Sequence, residues 1–213
     1  MEAEANEQLI DKLRSEVARL KEENQKLKDS NRRWMRIAGT DSVTGLPNKL
    51  LLTTALMPQL LGQVNAEGHY LACIILAPDG LGAINQQFGR DGGDQIVADV
   101  ASFLKEMVEG EEKLIHLDGA NFVLVMPQAD MGRARRRSRS LRARIVSRRF
   151  EIGEEIVPIS LSMGLVVRAA SPGEEALDTN RVVETFLVKL GAALDEAKHQ
   201  GGDRAIEDPD SRF

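Results

Sequence analysis

The sequence predicts an α+β fold, in which helices surround a central and mostly antiparallel sheet, preceded by one long helix. Residues 3–38 space their apolar side chains three and four apart, which is the pattern of a coiled-coil helix. Residues 113–126 place two short apolar runs around a small polar unit that contains Gly119, which predicts a β-hairpin. Strand-like and helix-like segments alternate along the remaining chain, which favours a layered α+β domain.

Composition limits the number of domains and the class of protein. The 213 residues are 42% hydrophobic, enough for one good core, and the polar first segment does not belong to it. We therefore expect a coiled coil at 1–39, a globular domain at 40–206 and a flexible tail at 207–213. No apolar run is long enough to span a bilayer and the N-terminus is charged, so we expect a cytoplasmic protein without a membrane partner. The net charge of −5 makes general nucleic-acid binding an unfavoured function.

The first segment has the features of a parallel dimeric coiled coil. In the middle heptads, β-branched Ile10 and Val17 occupy a positions and leucines occupy the d positions, which favours two parallel strands. Asn24 stands at an a position, where its amide is best satisfied by the same residue of a partner in register. A single amphipathic helix packed on its own domain is the alternative. The expected interface consists of Ile10, Leu13, Val17, Leu20, Asn24, Leu27, Asn31 and Trp34.

The globular elements follow from periodicity and from turn residues. An apolar stretch without a polar face predicts a buried strand at 71–76, which also buries the lone Cys73. Pro58 predicts a kink in the helix before it, and glycines at 89–93 predict a break between two later helices. The expected helices are 49–63, 82–88, 93–108, 130–149 and 179–199. Strands are expected in the hairpin, in the segment that ends with 157–167, and near 205–206.

Four motifs then occur in the order of one known family. Residues 41–49, Asp-Ser-Val-Thr-Gly-Leu-Pro-Asn-Lys, resemble D-x-L-T-G-L-x-N-R, and residues 77–94 resemble D-x-D-x-F-K-x-x-N-D-x-x-G-H-x-x-G-D. Ser160–Gly164 is similar to the strand v-S-x-G, and Gly191–Gly201 to A-D-x-A-L-Y-x-A-K-x-x-G. Residues 41–206 thus resemble the GGDEF domain of diguanylate cyclases. The resemblance implies a palm-like nucleotidyl-cyclase fold and a role in bacterial cyclic-di-GMP signalling.

The resemblance also implies a reaction, in which two facing domains join two GTP molecules with the help of Mg²⁺. The family holds the metal with two carboxylates, and the matching positions here are Ala77 and Ala120. Asp79 of the motif at 77–94 is retained, while in the hairpin, after Gly119 and Ala120, Asn121 replaces the family's glutamate. We therefore expect an inactive homologue without a cofactor, in which Mg²⁺ and GTP are relevant only to residual activity.

Other positions of the family's nucleotide pocket are kept. Asn85 and Asp94 match the residues that contact the guanine edge, and Lys198 matches a phosphate-binding lysine. A helix cap or a loop hydrogen bond is the alternative role for Asn85 and Asp94.

An arginine-rich stretch at 133–149 contains no acidic residue. Its arginines either form the solvated face of a helix or bind an acidic partner, with another protein favoured over nucleic acid because no aromatic residues are interleaved. The candidate patch consists of Arg135, Arg136, Arg139 and Arg142.

The hypothesis from sequence is a non-catalytic, dimeric GGDEF-like domain that acts as a regulator or scaffold through an unknown protein partner. A guanine-nucleotide sensor that uses the remaining pocket is one alternative. Residual diguanylate cyclase activity is the other.

Overall fold

The computed structural model describes residues 2–170 and 179–210, and it divides the chain into two compact units, 1–39 and 40–213. The first unit is the helix α1 (Glu2–Ala38). Its apolar stripe is exposed, with values of 48% for Ile10, 50% for Leu20 and 67% for Trp34. None of the helices in the described part of the chain is both long enough and apolar enough to span a membrane.

The second unit is built on a five-stranded sheet with the order β2-β3-β1-β6-β7. All neighbouring strands are antiparallel except β6 and β7, which are parallel, so the expected mostly antiparallel sheet is confirmed. A separate small hairpin comprises β4 and β5. The strands are β1 (Tyr70–Pro78), β2 (Lys113–Asp118), β3 (Asn121–Pro127), β4 (Phe150–Ile152), β5 (Glu155–Val157), β6 (Leu161–Ala169) and β7 (Ala205–Glu207).

The helices lie close to their predicted positions. Pro58 does not break the helical path: it occupies the first turn of α3, where its missing N–H is tolerated, after a π-helical segment Leu52–Leu56. The expected break at 89–93 is confined to Gly89, whose φ of 75° interrupts α4. The helices are α2 (Lys49–Leu51), α3 (Met57–Glu67), α4 (Leu81–Glu106), α5 (Met131–Ile145) and α6 (Thr179–His199).

Strand β1 divides the core into two layers. Ile74 and Leu76 belong to a cluster with residues of α4 and α5, while Cys73 and Ile75 belong to a cluster with residues of α3 and α6. This alternation is the two-residue period of a strand that is covered on both faces. The sheet is therefore the middle layer between two pairs of helices, and burial raises the pKa of the Cys73 thiol as expected for an inert core residue.

The chain end differs from the expected loose tail. Glu207 belongs to β7, and Asp208 and Asp210 both contact the Lys189 ammonium of α6, at 3.1 and 3.2 Å. These contacts attach residues 207–210 to the domain. Residues 211–213 of the expected tail, and Met1 of the expected coiled coil, lie outside the described residues.

Candidate functional site

A cleft of about 390 Å³ opens where β1 ends beside the β2–β3 turn. Antiparallel pairing of β1 with β3, in which Leu76 lies opposite Phe122, places the hairpin tip beside this strand end. The structure thereby brings together residues that the sequence singled out in three separate motifs. The cleft is lined by Ala77, Pro78, Asp79, Gly80, Leu81, Gly82, Ala120, Asn121 and Lys198.

The residues of the cleft do not match the ligand set that Mg²⁺ requires. Ala77 and Ala120 carry no ligand atom, although a magnesium site normally needs one or two carboxylates. The third candidate, Asp79, is already engaged, because Ser162 Oγ donates to Oδ1 and Ser160 Oγ to Oδ2, both at 2.6 Å. The part of the chain that the structure describes contains no group of three or more His, Cys, Asp or Glu residues that could hold a metal ion.

Asp79 instead fixes the loop that follows α6. The backbone N–H of Asp203 donates to Asp79 Oδ2 at 3.0 Å, and Gly202 lies directly against the same carboxylate. Gly201, Gly202 and Asp203 all have positive φ values, of 103°, 73° and 45°. Asp79 therefore helps to position the end of α6, the helix that carries Lys198.

The beginning of α4 offers backbone donors to an anion. Gly80 is the N-cap residue, it provides no side-chain acceptor, and the first turn contains no acidic residue. The first N–H groups of a helix have no partner within the helix, and the helix dipole favours negative charge there. Because Leu81, Gly82 and Lys198 line the same cleft, these donors and an ammonium group serve one site.

Asn85 lies against Gly93, the residue before Asp94, farther along α4. The side-chain oxygen of Asn85 occupies the space above Gly93, where an added Cβ would come within 1.8 Å of it, and Asp94 is the next residue. Both side chains are exposed, and within residues 2–170 and 179–210 neither makes a hydrogen bond to the protein. The expected cap or loop hydrogen bond is thus missing from the described structure, while the two polar groups remain accessible.

The hairpin tip is held by a buried histidine that the sequence analysis did not identify. His116 Nδ1 lies 2.9 Å from Asp41 Oδ1, and Nε2 lies 2.9 Å from the carbonyl oxygen of Gly119. The ring also stacks on Phe122, with centroids 5.0 Å apart. A histidine within an apolar strand next to a turn was the available signal, but its partner Asp41 comes from a distant motif.

The Asp41 carboxyl responds to these contacts. Partial burial raises its pKa, but hydrogen bonds from the Thr44 backbone and hydroxyl, and the hydrogen bond and charge of His116, outweigh burial and lower it overall. Asp41 is therefore a carboxylate at neutral pH.

The comparison with protein families agrees with the motif order. A family model described as "Diguanylate cyclase, GGDEF domain" matches residues 38–204. The chain belongs to the GGDEF domain family.

Named relatives and solved structures extend this result. The GGDEF chain is 29% identical over 172 residues to the bifunctional diguanylate cyclase/cyclic di-GMP phosphodiesterase MucR of Pseudomonas aeruginosa, a match that covers 81% of this chain and 24% of MucR. It is 26% identical over 174 residues to the response regulator PleD of Caulobacter vibrioides, covering 81% of this chain and 36% of PleD. The chain thus spans about a quarter to a third of the length of these relatives.

A solved structure of the coiled coil and GGDEF domain of DgcB from Caulobacter crescentus, in complex with c-di-GMP, matches with a TM-score of 0.71 and 21% identity, covering 92% of this chain and 99% of that chain. At this identity, the likeness shows the fold alone.

The expectation that this chain is not an enzyme is corrected by these relatives. MucR carries a diguanylate cyclase name, and so does DgcP of Pseudomonas aeruginosa, which is 28% identical over 165 residues. The family therefore points to a cyclase rather than to a non-enzyme. The substitutions at Ala77 and Ala120 alone do not show that the chain is inactive.

The arginine patch of this GGDEF domain is smaller than expected. Arg135 pairs with Glu207 at 2.6 Å and Arg142 with Asp203 at 2.9 Å, so both are used within the domain. Arg136 and Arg139 are exposed and form no ion pair within the described residues. Of the four expected residues, these two have no ion pair within the described residues, while Arg135 is paired but still 51% exposed.

One further arginine of α5 is structural. Arg137 is buried and contacts Glu112 at 3.0 Å and Glu109 at 3.3 Å. The acidic side chains of the segment 109–112, which precedes the hairpin, are therefore paired within the domain.

Proposed function

We propose that this GGDEF domain binds a guanine nucleotide in the cleft and acts in cyclic-di-GMP signalling as a dimeric regulatory module. The observation that carries the proposal is the convergence of the α4 N-terminus and Lys198 on one cleft. Farther along α4, the exposed side chain of Asn85 lies against Gly93, the residue before the exposed Asp94. Backbone N–H groups and an ammonium group bind phosphate, while an amide and a carboxylate can pair with the acceptors and donors of a guanine edge.

The nucleotide phosphates would contact the protein directly. Without carboxylates at positions 77 and 120, the cleft lacks the charge that normally recruits Mg²⁺, and it also repels phosphate less. We therefore expect weak GTP binding that does not depend on magnesium. Cyclic di-GMP is not expected to bind at the acidic segment 109–112, where Arg137 is already paired with Glu109 and Glu112.

Calorimetric titration of the full chain with GTP, with and without magnesium, tests this proposal. Lys198→Ala should weaken binding by removing the ammonium group, and Asp94→Ala should abolish it by removing the partner of the base. Lys105→Ala is the matched control, because Lys105 is an exposed lysine at the far end of α4. Tight magnesium-dependent binding, or equal binding by the three variants, would refute the proposal.

Diguanylate cyclase activity is the second candidate function, favoured by the names of MucR and DgcP. Product analysis of the same GTP samples tests it. Magnesium-dependent formation of cyclic di-GMP would establish it, and it would require a metal site other than the one that the family places at positions 77 and 120.

Dimerisation through α1 is the assembly that supports a regulatory role. The apolar stripe from Ile10 to Trp34 is exposed on α1, and a second copy in register would cover it and pair the two Asn24 amides. Sedimentation of Leu20→Lys should show monomers, whereas Ser15→Lys, on the outer face, should remain dimeric.

An acidic protein partner is the remaining part of the proposal. Arg136 and Arg139 are the exposed arginines to which its surface would bind. Charge reversal of both should weaken partner binding, most strongly at low salt. Unchanged binding would exclude this surface.

A further inference from the structure

His116 is held between two hydrogen-bond acceptors. On one side is the Asp41 carboxylate, 2.9 Å from Nδ1, and on the other the Gly119 carbonyl oxygen, 2.9 Å from Nε2. Neither partner can donate a hydrogen. A neutral imidazole carries one N–H, so it can satisfy only one of these acceptors, whereas the imidazolium form satisfies both.

We propose that His116 is a protonated positioning residue that fixes the hairpin wall of the nucleotide cleft, and that loss of its proton releases this wall. With a neutral ring, one nitrogen lone pair would face an oxygen at hydrogen-bond distance, and either the Asp41 or the Gly119 contact would be lost. Gly119 directly precedes Ala120 and Asn121, which line the cleft. A change in the hydrogen bond between His116 and Gly119 would therefore move residues of the cleft.

The hydrogen bond between His116 and Asp41 is largely shielded from water. The His116 side chain is 7% exposed and that of Asp41 23%, so water replaces their hydrogen bonds poorly. The backbone N–H of His116 donates to the Pro47 carbonyl oxygen at 2.8 Å, which ties β2 to the segment that contains Asp41. The ring thus connects segment 41–48 to the hairpin tip.

The charged surroundings of the ring are few. Asp41 is the one ionisable side chain hydrogen-bonded to the ring among residues 2–170 and 179–210. On the hairpin itself, Asp118 accepts from Asn121 Nδ2 at 2.7 Å, and Phe122 of β3 contributes an uncharged face. Lys49 of α2, which follows the Asn48 that bridges to His116, is exposed. Asp41 therefore provides the negative charge that is hydrogen-bonded to the ring.

Histidine side chains ordinarily change charge between about pH 5 and 8, and this is the range over which the device is tested. Nucleotide affinity should fall as pH rises and His116 becomes neutral. This consequence rests on the proposed nucleotide binding, but the protonation and movement of the tip do not.

Nuclear magnetic resonance of the full chain separates these claims. The ring nitrogens of His116 should both be protonated at about pH 6, and one should lose its proton as pH rises, while the amide signals of Gly119 and Ala120 shift with the same midpoint. His69 and His199 are exposed and provide internal controls whose titration should leave these two amides unchanged. A His116 ring that is neutral throughout, or tip amides that ignore its titration, would overturn the proposal.

GTP titration tests the consequence for the site. Wild-type affinity should be about fivefold higher at low than at high pH within this range, the effect of about one hydrogen bond. In His116→Gln, which has no titrating ring, this pH dependence should disappear. If GTP does not bind at any pH, the proposed function fails while the ring and amide titrations still decide the role of His116. An equal pH dependence in wild type and variant would contradict that role.

Discussion

The two walls of the cleft are held in different ways. The wall formed by the end of β1 and the loop after α6 is fixed by Asp79, whose carboxylate accepts from two serine hydroxyls and one backbone N–H. The hairpin wall is fixed by the single ring of His116. We call the first wall permanent, because three donors converge on one carboxylate, and the second adjustable, because it depends on one ring held between two acceptors.

The largest expected effect comes from removing the anchor of the permanent wall. Asp79→Ala leaves Ser160, Ser162 and the Asp203 N–H without their acceptor, so the free energy of unfolding should fall by about 2 to 4 kcal/mol. Asp79→Asn should cost less, because its amide oxygen keeps one acceptor. Urea unfolding measures both variants.

Asp195→Ala is the control for this prediction, since Asp195 is exposed near the C-terminal end of α6. It should change stability by no more than about 0.5 kcal/mol. An equally small loss in Asp79→Ala would mean that the serine network contributes little to this wall.

The elements around the permanent wall were predictable from sequence, but the contacts that hold this wall were not. The bounds of α6 and the β2–β3 hairpin followed from periodicities of 3.6 and 2, which local sequence contains. The family resemblance also predicted that Ala77, Ala120 and Lys198 belong to one site, and all three line the cleft. The engagement of Asp79 by Ser160 and Ser162 was not predictable, because these contacts depend on tertiary packing rather than on spacing along the chain.

The hairpin wall and the arginine helix show the same limit. The contact between His116 and Asp41, and the pairing of Arg135 with Glu207, join distant parts of the chain. An arginine-rich stretch indicates an exposed helix face, but it does not indicate which arginines already have partners. Candidate partner residues could therefore be narrowed to Arg136 and Arg139 only after the fold was known.

A smaller effect is expected from a methyl group added between the permanent wall and its loop. Gly202 has a φ of +73°, and a Cβ there would lie 3.0 Å from Asp79 Oδ1. Gly202→Ala should lower the free energy of unfolding by about 1 to 2 kcal/mol, because a left-handed backbone disfavours alanine. Gly62→Ala is the matched control: Gly62 lies within α3 with nothing within 4 Å, so its replacement should stabilise the helix. Destabilisation of similar size in both variants would disprove the assigned cause.

The smallest effect should appear on the adjustable wall in acid. Contacts with Thr44 and His116 lower the pKa of Asp41 below its ordinary value of 3.8, despite the opposing effect of burial. A depressed pKa contributes stability that is present above the unfolded value and is lost as pH falls through the folded value. Wild type should therefore lose more stability than Asp41→Asn between about pH 5 and 2, while at neutral pH the variant costs about 1 kcal/mol or less.

Unfolding curves across this range, with Asp195→Asn as an exposed control, measure the difference. Wild-type and Asp41→Asn profiles that run parallel would show that the Asp41 carboxylate contributes nothing to this wall.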